Sequence, residues 1–192
     1  MGQAGITIAT LIIPKTLSHL PKRIVKEIYT SRKQSTNIEI KGKNLSQAEK
    51  AKFVKMVVKL LKKEPSIQMS VITVRKENVK THIRADANKL YNYMVNFAVS
   101  EKITSCASVD FIPDPRTIKV ASGNSLVDYL QIKLWFELNA ATTLVYKPME
   151  SKQNLNLQFI DFIAHIIWSR YENNEYDFHK ILKPWIALQR RL

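Results

Sequence analysis

Three carboxylates in this sequence lie between apolar neighbours, where an ionised side chain needs a partner. Asp161 interrupts the apolar run LQFIDFIAHII, Asp110 lies in CASVDFIPD, and Glu39 lies in NIEIKGKNLS. Each acid taken singly is explained by an edge position, a helix cap or an ion pair with a neighbouring lysine. Acids that converge from a strand end and from an abutting helix would instead hold Mg²⁺ or Mn²⁺ through oxygen ligands, as in sites of phosphoryl transfer.

Helical spacing places Asp161 at the border of an apolar face. Leu157 and Trp168 lie on the same side of the predicted helix, and His165 follows Asp161 by one turn. A helix that crosses a sheet can bring such a carboxylate over the end of a strand. We therefore expect Asp161 to lie within a few Å of Asp110.

Other catalytic signatures are absent from the sequence. It has no glycine-rich phosphate loop, no GxSxG elbow and no zinc-ligand spacing, and its four histidines are scattered. Cys106 is the single cysteine, so an internal disulfide is excluded and a reducing compartment is favoured. The predicted location is the cytoplasm.

The charge is strongly positive and unevenly distributed. The net formal charge is +14, and residues 1–90 contain 19 Lys or Arg against 6 Asp or Glu. Such a basic half is typical of proteins that bind nucleic acid, although a solvated lysine-rich surface is an equally good explanation. The helix after Ser46 is predicted to have an apolar face, formed by Phe53, Val54, Val57, Leu60 and Leu61. The lysines on its other face are the first candidates for contacts with phosphate: Lys52, Lys55, Lys59 and Lys62.

The predicted helices and strands alternate along the chain. This alternation favours one α/β domain over residues 1–192, with a largely parallel sheet between helices. The longest early apolar run, residues 6–13, is shorter than the roughly 20 residues that a membrane span needs. The strands are predicted at Ile6–Ile13, Asn37–Lys41, Ile67–Arg75, Thr104–Ile112 and Thr142–Tyr146. The helices are predicted at Leu17–Arg32, after the capping pair Ser46 and Glu49, and at Asp86–Val99, Leu126–Leu138, Leu157–Tyr171 and Phe178–Leu188.

Several short motifs resemble those of one uncharacterised family, the domain of unknown function numbered thirty-eight hundred. The closing motif of that family, an acid-Ser-Lys followed by Leu-Gln-x-x-Asp on a helix, is matched by Glu150 to Lys152 and by Leu157 to Asp161. Its Glu-x-Lys-Gly element is matched by Glu39 to Gly42, and its middle strand ending in Asp is matched at Asp110. The resemblance covers residues 5–172.

The resemblance implies a ribonuclease-H-like mixed sheet with helices on both faces. Family members open with a strand ending in Asp-Glu-Ser-Gly, and this sequence contains no such motif. The family's first strand is therefore expected to be missing here, which leaves the acidic site incomplete. It would also leave an unpaired sheet edge, which a homodimer could cover.

The leading hypothesis is a metal-dependent nuclease-like protein that acts on phosphodiesters of nucleic acid. By the resemblance, Glu39, Asp110 and Asp161 would be catalytic ligands of Mg²⁺ or Mn²⁺. Lys41 and Lys152 would contact phosphate, with Ser151 and Gln158 in support. The alternative is a non-catalytic protein that binds nucleic acid, or acts as a scaffold, through its basic first half. No membrane partner is expected.

Overall fold

The structure is a computed structural model that describes residues 5–81, 87–115 and 123–191. The chain folds into two compact units, the first comprising Met1–Asn78 with Ser151–Leu192 and the second Val79–Glu150. The single domain expected over residues 1–192 stays a prediction. In chain order, the elements are β1 Ile6–Ile12, α1 His19–Ser31, α2 Gln47–Lys63, β2 Gln68–Val74, α3 Ala87–Val99, β3 Ser108–Phe111, α4 Gly123–Ile132, β4 Thr143–Tyr146, α5 Leu155–Glu172, α6 Asp177–Leu182 and β5 Leu188–Arg191.

The first unit contains a three-stranded mixed sheet in the order β1-β2-β5. β1 pairs antiparallel with β2, from Ile6 opposite Val74 to Ile12 opposite Gln68. β5 lies parallel to β2 on its other side. The predicted α/β class is thus confirmed with a small mixed sheet, whereas the expectation of a largely parallel sheet is wrong for β1 and β2.

The core of the first unit forms where α2 and α5 meet. Phe53 of α2 packs edge-on against Phe159 and Phe162 of α5, with ring centroids 5.3 Å apart in each pair. All three rings are fully buried, so the predicted apolar face of α2 is confirmed. Although α5 is long and largely apolar, no helix in the described ranges has the length and hydropathy to cross a membrane.

The segment predicted as a strand at Asn37–Lys41 is irregular. Its backbone is extended at Lys41, but the N–H groups on either side bond to side chains instead of a neighbouring strand. The N–H of Ile40 donates to Tyr29 Oη at 3.0 Å, and the N–H of Gly42 donates to Asp161 Oδ2 at 2.7 Å. The predicted strand is therefore wrong: Asn37 and Ile38 lie in a turn, in which the N–H of Ile38 donates to the carbonyl of Ser35 at 3.2 Å, and the extended backbone at Lys41 has no partner strand among the described residues.

The last predicted helix is shorter than expected and is followed by a strand. α6 ends at Leu182, and a 3-10 turn containing Pro184 redirects the chain. Proline has no N–H for the helical hydrogen-bond ladder, which explains the break. The N–H of Ala187 then donates to the carbonyl of Met69 at 2.8 Å, and β5 continues alongside β2. No sequence pattern had indicated this strand.

The second unit contains helices α3 and α4 and the parallel pair β3 and β4. β3 is shorter than the predicted strand at Thr104–Ile112, because the segment begins with a turn in which the N–H of Cys106 donates to the carbonyl of Ile103 at 2.9 Å. The predicted helix Leu126–Leu138 consists of α4 and a π-helical turn at Lys133–Glu137. The predicted helix start at Asp86 lies outside the described residues.

The N-terminus of α2 is tied to the end of α1 by an ion pair. Ser46 and Glu49 form the predicted capping box, in which each side chain bonds to the other residue's backbone N–H. Arg32, just after α1, donates through Nε and Nη2 to the two oxygens of Glu49, at 2.6 and 2.7 Å. This bidentate bond to the Arg32 guanidinium lowers the pKa of Glu49 from 4.5 to about 2.

We expect Glu49→Gln to weaken the fold in a pH-dependent manner. The ionised carboxylate stabilises the native state fully above about pH 4.5, and this contribution is lost as the pH falls towards about 2. The variant should therefore be less stable by roughly 1–3 kcal/mol at neutral pH and should approach the wild type near pH 2. Urea unfolding across this pH range measures the difference. An equal gap at both ends of the range would contradict the assignment.

Candidate functional site

The Asp161 side chain connects the irregular segment at residues 38–45 to helix α5 through a hydrogen bond. The helix begins at the cap Asn154, whose side chain accepts a hydrogen bond from the N–H of Asn156. Less than two turns later, half-buried Asp161 accepts the N–H of Gly42 through Oδ2. Gly42 is buried, so this bond satisfies a backbone donor that would otherwise be unpaired away from water. Asp161 therefore has a partner, but it is a distant backbone N–H and not the helix cap or lysine ion pair that the sequence suggested.

Gly42 is required for this close approach. A Cβ atom at Gly42 would lie 2.7 Å from the Cβ of His165 and 2.9 Å from the carbonyl oxygen of Asp161. The second distance is to backbone of α5, which cannot move away cheaply. Any larger residue at position 42 would therefore separate the segment from the helix.

Glu39, Lys41 and Ser151 form a polar triad beside this contact. Lys41 Nζ lies 2.5 Å from Glu39 Oε1 and 3.1 Å from Ser151 Oγ. The Ser151 hydroxyl donates to the same Glu39 oxygen. Glu39 is therefore neutralised by Lys41, as the ion-pair explanation of this acid proposed. Its side chain is 13% exposed, so little of it faces water.

A buried chain of hydrogen bonds connects this triad to helix α1. Gln158 Nε2 donates to the carbonyl of Ser151 at 2.9 Å, and Gln158 Oε1 accepts the Tyr29 hydroxyl at 2.8 Å. The same Tyr29 oxygen accepts the N–H of Ile40. We call these five side chains the polar junction: Tyr29, Glu39, Lys41, Ser151 and Gln158.

Tyr29 was not identified as a site residue from the sequence. It directly follows Ile28 on the predicted apolar face of α1, where an aromatic residue indicates core packing. Only its hydroxyl, placed between Gln158 and Ile40, makes it part of the polar junction. Long-range hydrogen bonds of this kind have no signature in local sequence spacing.

His165 lies next to the segment and is half-buried. Burial lowers its pKa, and the ammonium of Lys50 lowers it further, whereas the carboxylate of Asp161 acts in the opposite direction. Lys50 itself is buried and is paired with Glu175 at 3.0 Å. A neutral His165, stacked on Trp168 with ring centroids 5.6 Å apart, follows from this environment.

Asp110 and Lys152, the other predicted site residues, are exposed. Asp110 lies on β3 in the second unit, and its Oδ1 is 2.7 Å from Lys147 Nζ, so the expected apolar setting of this acid is wrong. Lys152 follows Ser151 in a short 3-10 turn. The predicted proximity of Asp110 to Asp161 stays a prediction.

The carboxylate oxygens of Glu39 and Asp161 have the chemistry that Mg²⁺ or Mn²⁺ prefers, but their bonding within the first unit does not fit a metal centre. Among the described residues, no group of three His, Cys, Asp or Glu side chains is close enough to hold an ion. In addition, the ammonium of Lys41 bonds to one oxygen of Glu39, and the N–H of Gly42 bonds to one oxygen of Asp161. No chemical step through a metal is derived from this geometry.

The exposed side of α2 has the features of an anion-binding surface. Its lysines are exposed, as the sequence predicted, and they line a shallow concave surface around Val58. Lys52 differs, because its ammonium donates to Ser31 Oγ at 2.7 Å and lies 3.8 Å from Glu27. We call the remaining set the basic face; none of its members has an ion-pair partner among the described residues: Lys55, Lys59, Lys62 and Lys63.

Comparisons with known proteins identify no relative of this chain. No family model matches the chain, and no curated protein or solved structure is significantly similar to it. The resemblance therefore rests on its motif residues alone.

We expect Tyr29→Phe to destabilise the protein by about 1–3 kcal/mol. The change leaves the N–H of Ile40 and the side-chain carbonyl of Gln158 without their partner in a buried environment. Tyr93→Phe is the control, since the Tyr93 ring is 45% exposed and its change should stay within about 0.5 kcal/mol. Urea unfolding measures both variants. Equal, small losses would show that the polar junction contributes little.

Proposed function

We propose that this protein binds nucleic acid through the basic face of its first unit. The observation that carries the proposal is the row of exposed lysines on α2 that lack acidic partners in the described ranges. The chain also has a net charge of +14. Lysines that are not neutralised within the protein are free to contact phosphates and to release counterions from a polyanion.

Electrostatics elsewhere in the first unit favour the same function. Glu39 pairs with Lys41 and Glu49 with Arg32, so neither of these acids neutralises a lysine of the basic face. Among the four helix-face lysines predicted to contact phosphate, Lys52 is already bonded to Ser31 and close to Glu27. Lys63, which the sequence-based set did not include, takes its place on the basic face.

We also propose that the chain is a divergent relative of the ribonuclease-H-like family that its motifs resemble. What supports this is that the motif residues, far apart in sequence, contact one another in the first unit. If the chain is such a relative, its mixed sheet is expected to have helices on both faces, as in ribonuclease-H-like proteins. We further propose that the chain forms a homodimer through β1, because this strand lies at the edge of the sheet and its seven residues are uncharged.

Reversing the basic face should weaken binding of nucleic acid and reduce its dependence on salt. For Lys55, Lys59 and Lys63 changed to Glu, we expect the log–log salt slope to fall by about 2 to 3, close to one unit for each lost phosphate contact. Fluorescence anisotropy with a labelled duplex at several salt concentrations measures this slope.

The control carries the same change at three exposed lysines elsewhere, namely Lys80, Lys89 and Lys180. This variant has the same net charge as the first and should lose much less affinity. Equal losses in the two variants would show that net charge, and not the basic face, determines binding.

Metal-dependent cleavage of phosphodiesters is a second candidate function. What supports it is the resemblance, together with the position of Asp161, whose carboxylate bonds to Gly42 in the motif that also contains Glu39. Two predicted acids thus belong to one local arrangement. Oxygen ligands of this type bind Mg²⁺ or Mn²⁺, but the ion would have to compete with Lys41 for Glu39.

Melting in the presence of Mn²⁺ separates the two candidates. If Asp161 only holds Gly42, Mn²⁺ should leave the melting temperature unchanged in both the wild type and Asp161→Asn. The Asn variant should lose about 1 kcal/mol, because its amide oxygen can still accept the N–H, but without charge. We expect this result. A rise with Mn²⁺ in the wild type that is abolished in Asp161→Asn would favour the metal-dependent candidate instead.

A further inference from the structure

An aromatic ring lies at one end of the basic face. Trp185 belongs to the 3-10 turn after α6, is half-buried and packs against the core of the first unit. The ammonium of Lys62 lies over its ring, 5.9 Å from the ring centroid. Because the core packing holds the indole in place, its position beside the end of α2 is fixed.

The contact between Lys62 and Trp185 is at the outer limit of a cation–π interaction. Such contacts extend to about 6 Å from the ring centroid, and they are weak where solvent has access. Lys62 is exposed, so another group can replace its ammonium over the ring at little cost. A flat, apolar group such as a nucleobase has the shape to do so.

We propose that Trp185 and the basic face bind single-stranded nucleic acid, with one base stacked on the indole and the phosphates at the lysines. Stacking on aromatic side chains combined with a positive surface is how proteins bind single strands of any sequence. In a duplex the faces of the bases are covered by their neighbours, so only the lysines contribute. This inference rests on the proposed function and specifies its ligand.

The lysine spacing suits a strand that runs along the helix. Lys55, Lys59 and Lys62 follow one another at i, i+4 and i+7, so their Cα atoms lie on one face of α2. A strand laid along this row reaches Trp185 at the end occupied by Lys62. Once the base has displaced its ammonium, Lys62 becomes available to a phosphate.

The test compares a labelled oligothymidine with a duplex of equal length by fluorescence anisotropy. Trp185→Leu should weaken binding of the single strand by about tenfold, the usual effect of losing one stacked base, and change duplex binding less than about twofold. Trp185→Phe keeps an aromatic ring and should retain most of the single-strand affinity. Thermal melting checks that both variants are folded.

A second measurement does not depend on the stability of the Leu variant. In a protein with Trp135→Phe and Trp168→Phe, Trp185 is the only tryptophan left. Its fluorescence should be quenched by the single strand and unaffected by the duplex. Absence of quenching at saturating single strand, or equal quenching by both, would overturn the inference.

The same experiments distinguish this inference from the function on which it rests. If reversal of Lys55, Lys59 and Lys63 leaves binding of both nucleic acids unchanged, the proposed function fails. If that reversal weakens both while Trp185→Leu changes neither, nucleic-acid binding stands and the preference for single strands is wrong.

Discussion

The first unit depends on the attachment of an irregular segment to the side of helix α5. The segment has no partner strand in the described structure, so its buried N–H groups would be costly without other acceptors. The Asp161 carboxylate and the Tyr29 hydroxyl provide these acceptors, for Gly42 and Ile40 respectively. The absence of a side chain at Gly42 lets the segment lie directly on the helix. Helices α1 and α5 are thereby linked through one stretch of chain.

Charge in this unit is divided between acids that are neutralised internally and lysines that are not. Glu39 and Glu49 each bond to a nearby cation, and both are largely withdrawn from solvent. By contrast, the basic face on α2 has no acidic partner in the described ranges. The basic face thus carries positive charge that no nearby acid offsets, while the paired carboxylates connect segments of the chain.

Local rules predicted most of the helices and strands, and they failed where the partner of a segment is distant. The capping pair Ser46 and Glu49 predicted the start of α2, and the apolar spacing within it predicted its buried face. The strand predicted at Asn37–Lys41 is absent: its first residues form a turn, and the N–H groups of Ile40 and Gly42 bond to side chains more than ten residues away. Strand β5 was missed because it pairs with β2, over a hundred residues earlier. Periodicity contains no information on such pairings.

The sequence by itself determined the α/β class, the positive charge and the need for a partner at any apolar-flanked carboxylate that the fold buries. Each of these follows from local patterns or from the cost of burying an ionised group. Only the tertiary structure decided which partners those are: a backbone N–H for Asp161, Lys41 for Glu39 and Lys147 for Asp110. A carboxylate is satisfied equally well by a cation, a metal or an N–H group, so the sequence alone does not distinguish them. The distance and direction of the nearest donor make that choice, and the folded chain sets both.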